Sequence, residues 1–204
     1  MTTLTTLIAL PPDLVERDRV RRQAQRVGAI EHPGLAPLRD VAFAGNGLAL
    51  TWELPSAGGT HGDALAALAP IAGGLALLHD AGLAHGGVAE GAIHVIDGRG
   101  VLTGWRPGGT PEGDVRDLVA VLDTWLPAAS VGADIVQLII SAQDPDPRAV
   151  PSMARVAALL ERAAAHVPHL ASPPAHRRAR LVDDPQDRAD AGTVPVTTLD
   201  QRPA

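Results

Sequence analysis

Residues 63–82, D-A-L-A-A-L-A-P-I-A-G-G-L-A-L-L-H-D-A-G, are apolar on nearly every side of a helical wheel. Such a helix has no face to offer water, so it belongs at the centre of a fold with other elements packed around it. Pro70 lacks an N–H and its ring collides with the preceding turn, which predicts a break or restart there; Gly73-Gly74 interrupts the run again. Hydrophobic residues make up 46% of the 204, but with three Trp, one Phe and no Tyr the core has to be built from Ala, Leu, Val and Ile. That is enough for one domain with or without a tail.

Upstream, residues 5–10 read as a short strand stopped by Pro11-Pro12. Asp13 is placed to cap a helix over 15–30, where Val20, Ala24 and Val27 recur at helical spacing. Arg17, Arg19, Arg21, Arg22 and Arg26 fill the rest of that helix, either as a solvated face or as a docking patch for an acidic partner. Glu31-His32-Pro33-Gly34 ends it, and two strands follow over 35–44 and 48–54, joined by the tight turn Gly45-Asn46-Gly47. Residues 55–60 form a connector. After the central helix come a loop from His85, a strand over 93–96, a turn over 97–100, and a strand over 101–103. Helices over 114–125, 132–142 and 153–166 complete the pattern, the last capped by Ser152. From Pro168 the apolar periodicity stops and Pro, Arg, Asp and Thr dominate, which predicts a disordered tail over 168–204.

Composition narrows the chemistry. All 17 basic residues are Arg, so a Schiff base, a P-loop lysine or a lysine clamp on ATP is excluded. The absence of Cys leaves no disulfide and no thiolate metal site. Net charge is −6, which argues against nucleic acid as a partner. No run reaches the ~18 apolar residues of a membrane span, and no basic residue precedes Arg17 as a secretory signal would require. A cytoplasmic protein is expected. His79, His85 and His94 are the densest His cluster, but their spacings match no ligand pair on a helix, so neither a metal nor another cofactor is expected.

Several pieces, in order, resemble the bacterial Ser/Thr protein kinase fold. Glu31-His32-Pro33-Gly34-Leu35 is similar to the His-Pro-Asn element after that family's αC helix, and Leu50-Thr51-Trp52-Glu53-Leu54 to its hinge strand. Leu77-Leu78-His79-Asp80-Ala81-Gly82-Leu83-Ala84-His85 resembles the end of αE entering the catalytic loop. Asp114-Val115-x-x-Leu118 resembles the start of αF, and Asp144-Pro145-x-x-Arg148 with Pro151-Ser152 the run before the last helix. The resemblance implies an α+β, kinase-like fold. Residues 1–56 would be a truncated, β-rich N-lobe of about three strands plus the αC-like helix, 57–167 a mainly helical C-lobe with a short activation segment, and 168–204 the tail.

It also implies a loss. Kinase phosphotransfer depends on positioned charge. The Gly-rich hairpin that should precede the first strand is expected to be missing. The clamping Lys falls on Ile8 and its αC Glu on Gln23. The base position is Gly87, the loop-Lys position Ala89, the metal-Asn position Ala92 and the D-F-G aspartate Gly104. Trp52 falls at the gatekeeper and His94 on the adenine floor of a vestigial nucleotide pocket. The positions that survive are structural: His85 and Trp105 with Val27 as spine, Asp114 as an anchor for the loop backbone, and Glu112–Arg148 as an ion pair. The function implied is that of a pseudokinase, a catalytically inactive protein-binding scaffold or regulatory module that binds no ATP. The alternatives are a small-ligand sensor or an enzyme of altered chemistry around Trp52, His94 and Arg106, and an unrelated helical interaction domain. Partner surfaces are the truncated strand edge, open to a homodimer or a partner strand, and the Arg-rich helix 15–30. In the tail, Thr197-Thr198-Leu199-Asp200 makes Thr197 a candidate phosphosite for a forkhead-associated domain.

Overall fold

The computed structural model describes residues 2–54, 63–126 and 132–166. The connector 55–60 and the tail 168–204, with Thr197, lie outside them. Strand β1 (Thr2–Ala9) leads to helix α1 (Leu14–Gly28), then β2 (Leu38–Ala44) and β3 (Gly47–Leu54) form a hairpin. Helix α2 (Ala64–Asp80) is followed by a short 3-10 turn, Glu90–Ala92, and a hairpin of β4 (Ile93–Ile96) and β5 (Arg99–Leu102). Helices α3 (Pro111–Trp125), α4 (Ala133–Ala142) and α5 (Met153–His166) complete the order. The architecture is α+β: an antiparallel sheet in the order β1-β3-β2 and a separate two-stranded sheet beside the helices.

β3 is the middle strand, paired with β1 on one edge and β2 on the other. Its Leu48, Leu50, Trp52 and Leu54 point inward and are buried, with Ile8 of β1 opposite Leu48. α1 packs beside β2 through Val20, Ala24 and Val27, the apolar stripe read in the sequence. The Asp13 carboxylate accepts from the Glu16 N–H at 2.8 Å and caps it. The second strand begins at Leu38 instead of at residue 35. Leu35 and Ala36 instead cross to the second sheet, where Ala36 N–H donates to Leu102 O and Leu102 N–H to Gly34 O.

α2 runs unbroken through Pro70, against the sequence expectation. The proline removes one intrahelical bond at a cost of about 3 kcal/mol. Leu68, Ile71, Ala72 and Leu75 on both sides of it are fully buried, and each buried aliphatic side chain contributes roughly 1.5–3 kcal/mol. Burial on every side therefore holds the helix continuous. A single core runs from Ile8 through α2 to Leu160 of α5. At Gly34 the chain passes so close to α2 that a Cβ would sit 1.9 Å from the Pro70 carbonyl oxygen.

The Arg residues of α1 are mostly engaged locally. Arg19 pairs with Glu16, and Arg21 and Arg22 pair with Asp18. Arg17 reaches Gly45 O and Arg26 reaches Ala81 O. Among the described residues no helix is long and apolar enough to cross a membrane.

Gly34→Ala is expected to lower stability by about 3 kcal/mol because backbone has to move. Gly91→Ala, where a Cβ meets nothing within 4 Å, is expected to change it by less than about 0.5 kcal/mol. Urea unfolding of the two variants side by side checks this, and equal effects would contradict the close approach.

Candidate functional site: a loop anchored from beneath

The loop between α2 and β4 starts from a well-defined helix end. Gly82, at φ +69°, lies just beyond the cap. Leu83 N–H donates to Leu78 O and Gly82 N–H to His79 O, the bond pair of a Schellman motif. Leu78 and Leu83 are both buried, which turns the chain inward toward His85.

Asp114 meets it there. Thr110 caps α3 by accepting from Gly113 N–H at 3.0 Å, which puts Asp114 in the first turn, where a carboxylate is favoured. Its side chain is 1% exposed. One oxygen accepts from His85 N–H at 2.7 Å, and the other from Gly86 N–H at 2.7 Å. His79 adds a third contact from the last turn of α2, its Nε2 lying 3.0 Å from the same oxygen that His85 uses. A buried carboxylate with this many donors is satisfied and stays where it is.

The segment after β5 closes the loop from the other side. Arg106 N–H donates to His85 O at 2.8 Å and the Trp105 indole N–H to Ala84 O at 2.9 Å. Thr103 donates from both its N–H and its hydroxyl to Ala92 O, leaving the hydroxyl oxygen to accept from His94 Nε2 at 3.2 Å. The approach is tightest at Gly87, where a Cβ would lie 2.3 Å from Gly104 O and 3.3 Å from Arg106 Cγ. Gly104 has room for a Cβ but sits at φ +79°, a conformation that side-chain-bearing residues adopt at a cost.

The remaining positions are spread around this loop. Ile8 is in the core and Gln23 is half-buried on α1. Ala89 is exposed and Ala92 is packed against the core. Trp52 is 3% exposed, with no partner for its indole N–H among the described residues. His85, Trp105 and Val27 are all buried. Burial lowers the His85 pKa to about 4, against an upward pull from Asp114; its Nδ1 has no partner among the described residues. Burial also lowers His94 and His32.

No ion pair joins Glu112 to Arg148 among the described residues, contrary to expectation. Arg148 is exposed, and its backbone N–H is taken up by the Asp146 carboxylate in a turn. The tie between α3 and the segment that follows α4 is made by Arg116, which donates to Ala142 O at 3.2 Å and Asp144 O at 2.7 Å. Sequence reading missed Arg116, and it weighed His79 only as a metal ligand. The signal for His79 was its place in the last helical turn before the loop that Asp114 holds. Among the described residues no group of three or more His, Asp or Glu side chains is placed to hold a metal.

No family model and no curated protein matches the chain.

Replacing Asp114 with Ala strands two backbone donors and an imidazole, and is expected to cost about 3–5 kcal/mol in denaturant unfolding. The depressed His85 pKa gives a pH dependence with a definite sign. As pH falls, the unfolded chain takes up the proton first. Stability should therefore drop from about pH 6.5 and level off near pH 4, losing on the order of 3 kcal/mol. His85→Leu should flatten most of that slope, and an unchanged slope would remove His85 as its cause.

Proposed function

We propose that this chain is a catalytically inactive, protein-kinase-like domain that acts by binding protein. The carrying observation is the closure at Gly87. The residue that corresponds to the kinase base sits where a Cβ would strike the Gly104 carbonyl at 2.3 Å. A carboxylate there is excluded by backbone, not only missing by substitution.

Other features support the same reading. The sheet order β1-β3-β2, with α1 beside β2, is the order expected of a kinase N-lobe reduced to three strands. Asp114 holds the backbone of His85 and Gly86 as the αF aspartate of that fold would. Ile8 is buried in the strand position of the ATP-clamping lysine, and no lysine exists elsewhere in the chain to replace it. Phosphoryl transfer is positioning plus electrostatic stabilisation of charge on the phosphates and metal. With glycine at 87 and 104 and alanine at 92, neither metal has a ligand and the nucleophile has no base. What remains is a shaped surface, and a cytoplasmic scaffold or regulatory module is the role that suits it.

Thermal unfolding with ATP and Mg²⁺ in large excess should leave Tm unchanged, since a ligand at 100 times its Kd would add about 2.7 kcal/mol. A clear rise in Tm would contradict inactivity. Gly87→Asp should not restore nucleotide binding and should lower Tm. A stable Gly87→Asp protein that binds ATP would show that the loop is open.

A further inference from the structure

Among the described residues, β1 has one strand neighbour, β3. Leu10, just beyond the strand, donates its N–H to Asn46 O, and the same register sets Ile8 opposite Leu48 and Thr6 opposite Leu50. Bonded and non-bonded pairs alternate along an antiparallel ladder. The even-numbered residues of β1 therefore direct their N–H and C=O groups to β3. Those of Thr3, Thr5, Leu7 and Ala9 point away from the sheet. The far side of β3 keeps the same alternation, with Glu53 N–H donating to Pro37 O.

An open row of donors and acceptors is a template for another strand unless something blocks it. The opposite edge is blocked. β2 carries Arg39 and Asp40, and its register shifts between Leu38 and Asp40. β1 has none of these devices. Its eight residues, T-T-L-T-T-L-I-A, hold no charge and no proline and keep one register throughout. Apolar surface gathers beside it: Leu4, Leu7, Leu14 and Val15 are exposed on β1 or at the start of α1. Thr2 and Leu4, on the inner side of the strand, are exposed too, Leu4 to 36%.

We propose that β1 pairs antiparallel with β1 of a second copy, joining the two sheets into one. A single register uses all four outward residues. It sets Thr3 opposite Ala9 and Thr5 opposite Leu7 of the second copy, with Thr6 facing itself on the two-fold axis. On the inner side Leu4 then meets Ile8 of the second copy. Every cross-strand pair is neutral, the Thr–Thr pair on the axis is of a kind that stabilises sheets, and Leu4 and Ile8 bring apolar surface together. The strand is thus complementary to itself, whereas a strand of another protein would have to supply that match from outside. This names the partner for the binding role proposed above and rests on that role for its purpose, while its geometry stands on β1 alone.

The chain has no cysteine, so introduced thiols report without interference. A non-hydrogen-bonded antiparallel pair brings Cα atoms to about 4.5 Å, within the roughly 4.4–6.8 Å a disulfide spans. Light scattering on the full chain at about 100 µM should give the mass of a dimer, and dilution should shift it toward monomer. Under mild oxidation Thr6→Cys should form an intermolecular disulfide, and Thr5→Cys at least about tenfold less of it, because its own copy lies two residues away. Thr5→Pro removes only an outward N–H and Leu7→Lys places a charge on the edge; both should yield monomer with Tm within about 4 °C of the parent. Three results would each overturn the proposal: a monomeric parent chain, a dimer that survives both substitutions, or equal crosslinking at 5 and 6. A monomer would leave the inactive loop untouched, and ATP binding would overturn the inactive loop without touching the dimer.

Discussion

The carboxylate of Asp114 holds the rest of the structure in register. It lies at the start of α3, reaches the end of α2 through His79, and fixes the loop through the N–H groups of His85 and Gly86. The end of α2, the loop that follows it and the start of α3, some thirty residues on, meet on two oxygen atoms. In a water-poor interior such a group is costly unless donors are placed on its oxygens. Here two contacts fall on one oxygen and one on the other, and the loop backbone acquires one conformation. That conformation in turn places His85 O against Arg106 N–H and Ala84 O against the Trp105 indole, so the 103–106 segment after β5 is aligned by the same anchor.

The alignment has a chemical consequence. Once the loop and the 103–106 segment are held this close, glycine at 87 is a requirement of packing, because the Gly104 carbonyl occupies the space a side chain would need. The single conformation of the loop and its lack of room for a side chain at 87 are then one feature. Phosphoryl transfer needs charged groups positioned around the phosphates; here the loop is held against residues 103–106 by hydrogen bonds and carries glycine at its tightest point. On the proposals made above, binding falls to the surface, where β1 carries outward groups with no strand beside them among the described residues.

Much of the frame was legible in the sequence because it depends on local pattern. The stripe Val20, Ala24, Val27, the Asp13 cap, the Gly45-Asn46 turn and the buried α2 all follow from spacing and residue type. Asp114 as an anchor followed from its place in a motif. What failed depended on tertiary context. Pro70 looked like a break because the cost of a proline in a helix is local, while the burial that offsets it comes from the whole core. Glu112 and Arg148 looked like a pair because sequence order gives no distance, and Arg116 took over that tie through backbone carbonyls that no side-chain pattern reveals. The tight approach at Gly87 was invisible for the same reason: a glycine in sequence does not say what stands where its Cβ would be.

Backbone amide exchange across residues 84–106, with and without saturating ATP and Mg²⁺, is the most direct test of a loop anchored shut by Asp114. The His85 and Gly86 amides should exchange only through global unfolding, at the slow limit set by overall stability, and nucleotide should change no rate in the segment. Fast exchange at His85 and Gly86, or protection of the segment by ATP, would contradict it.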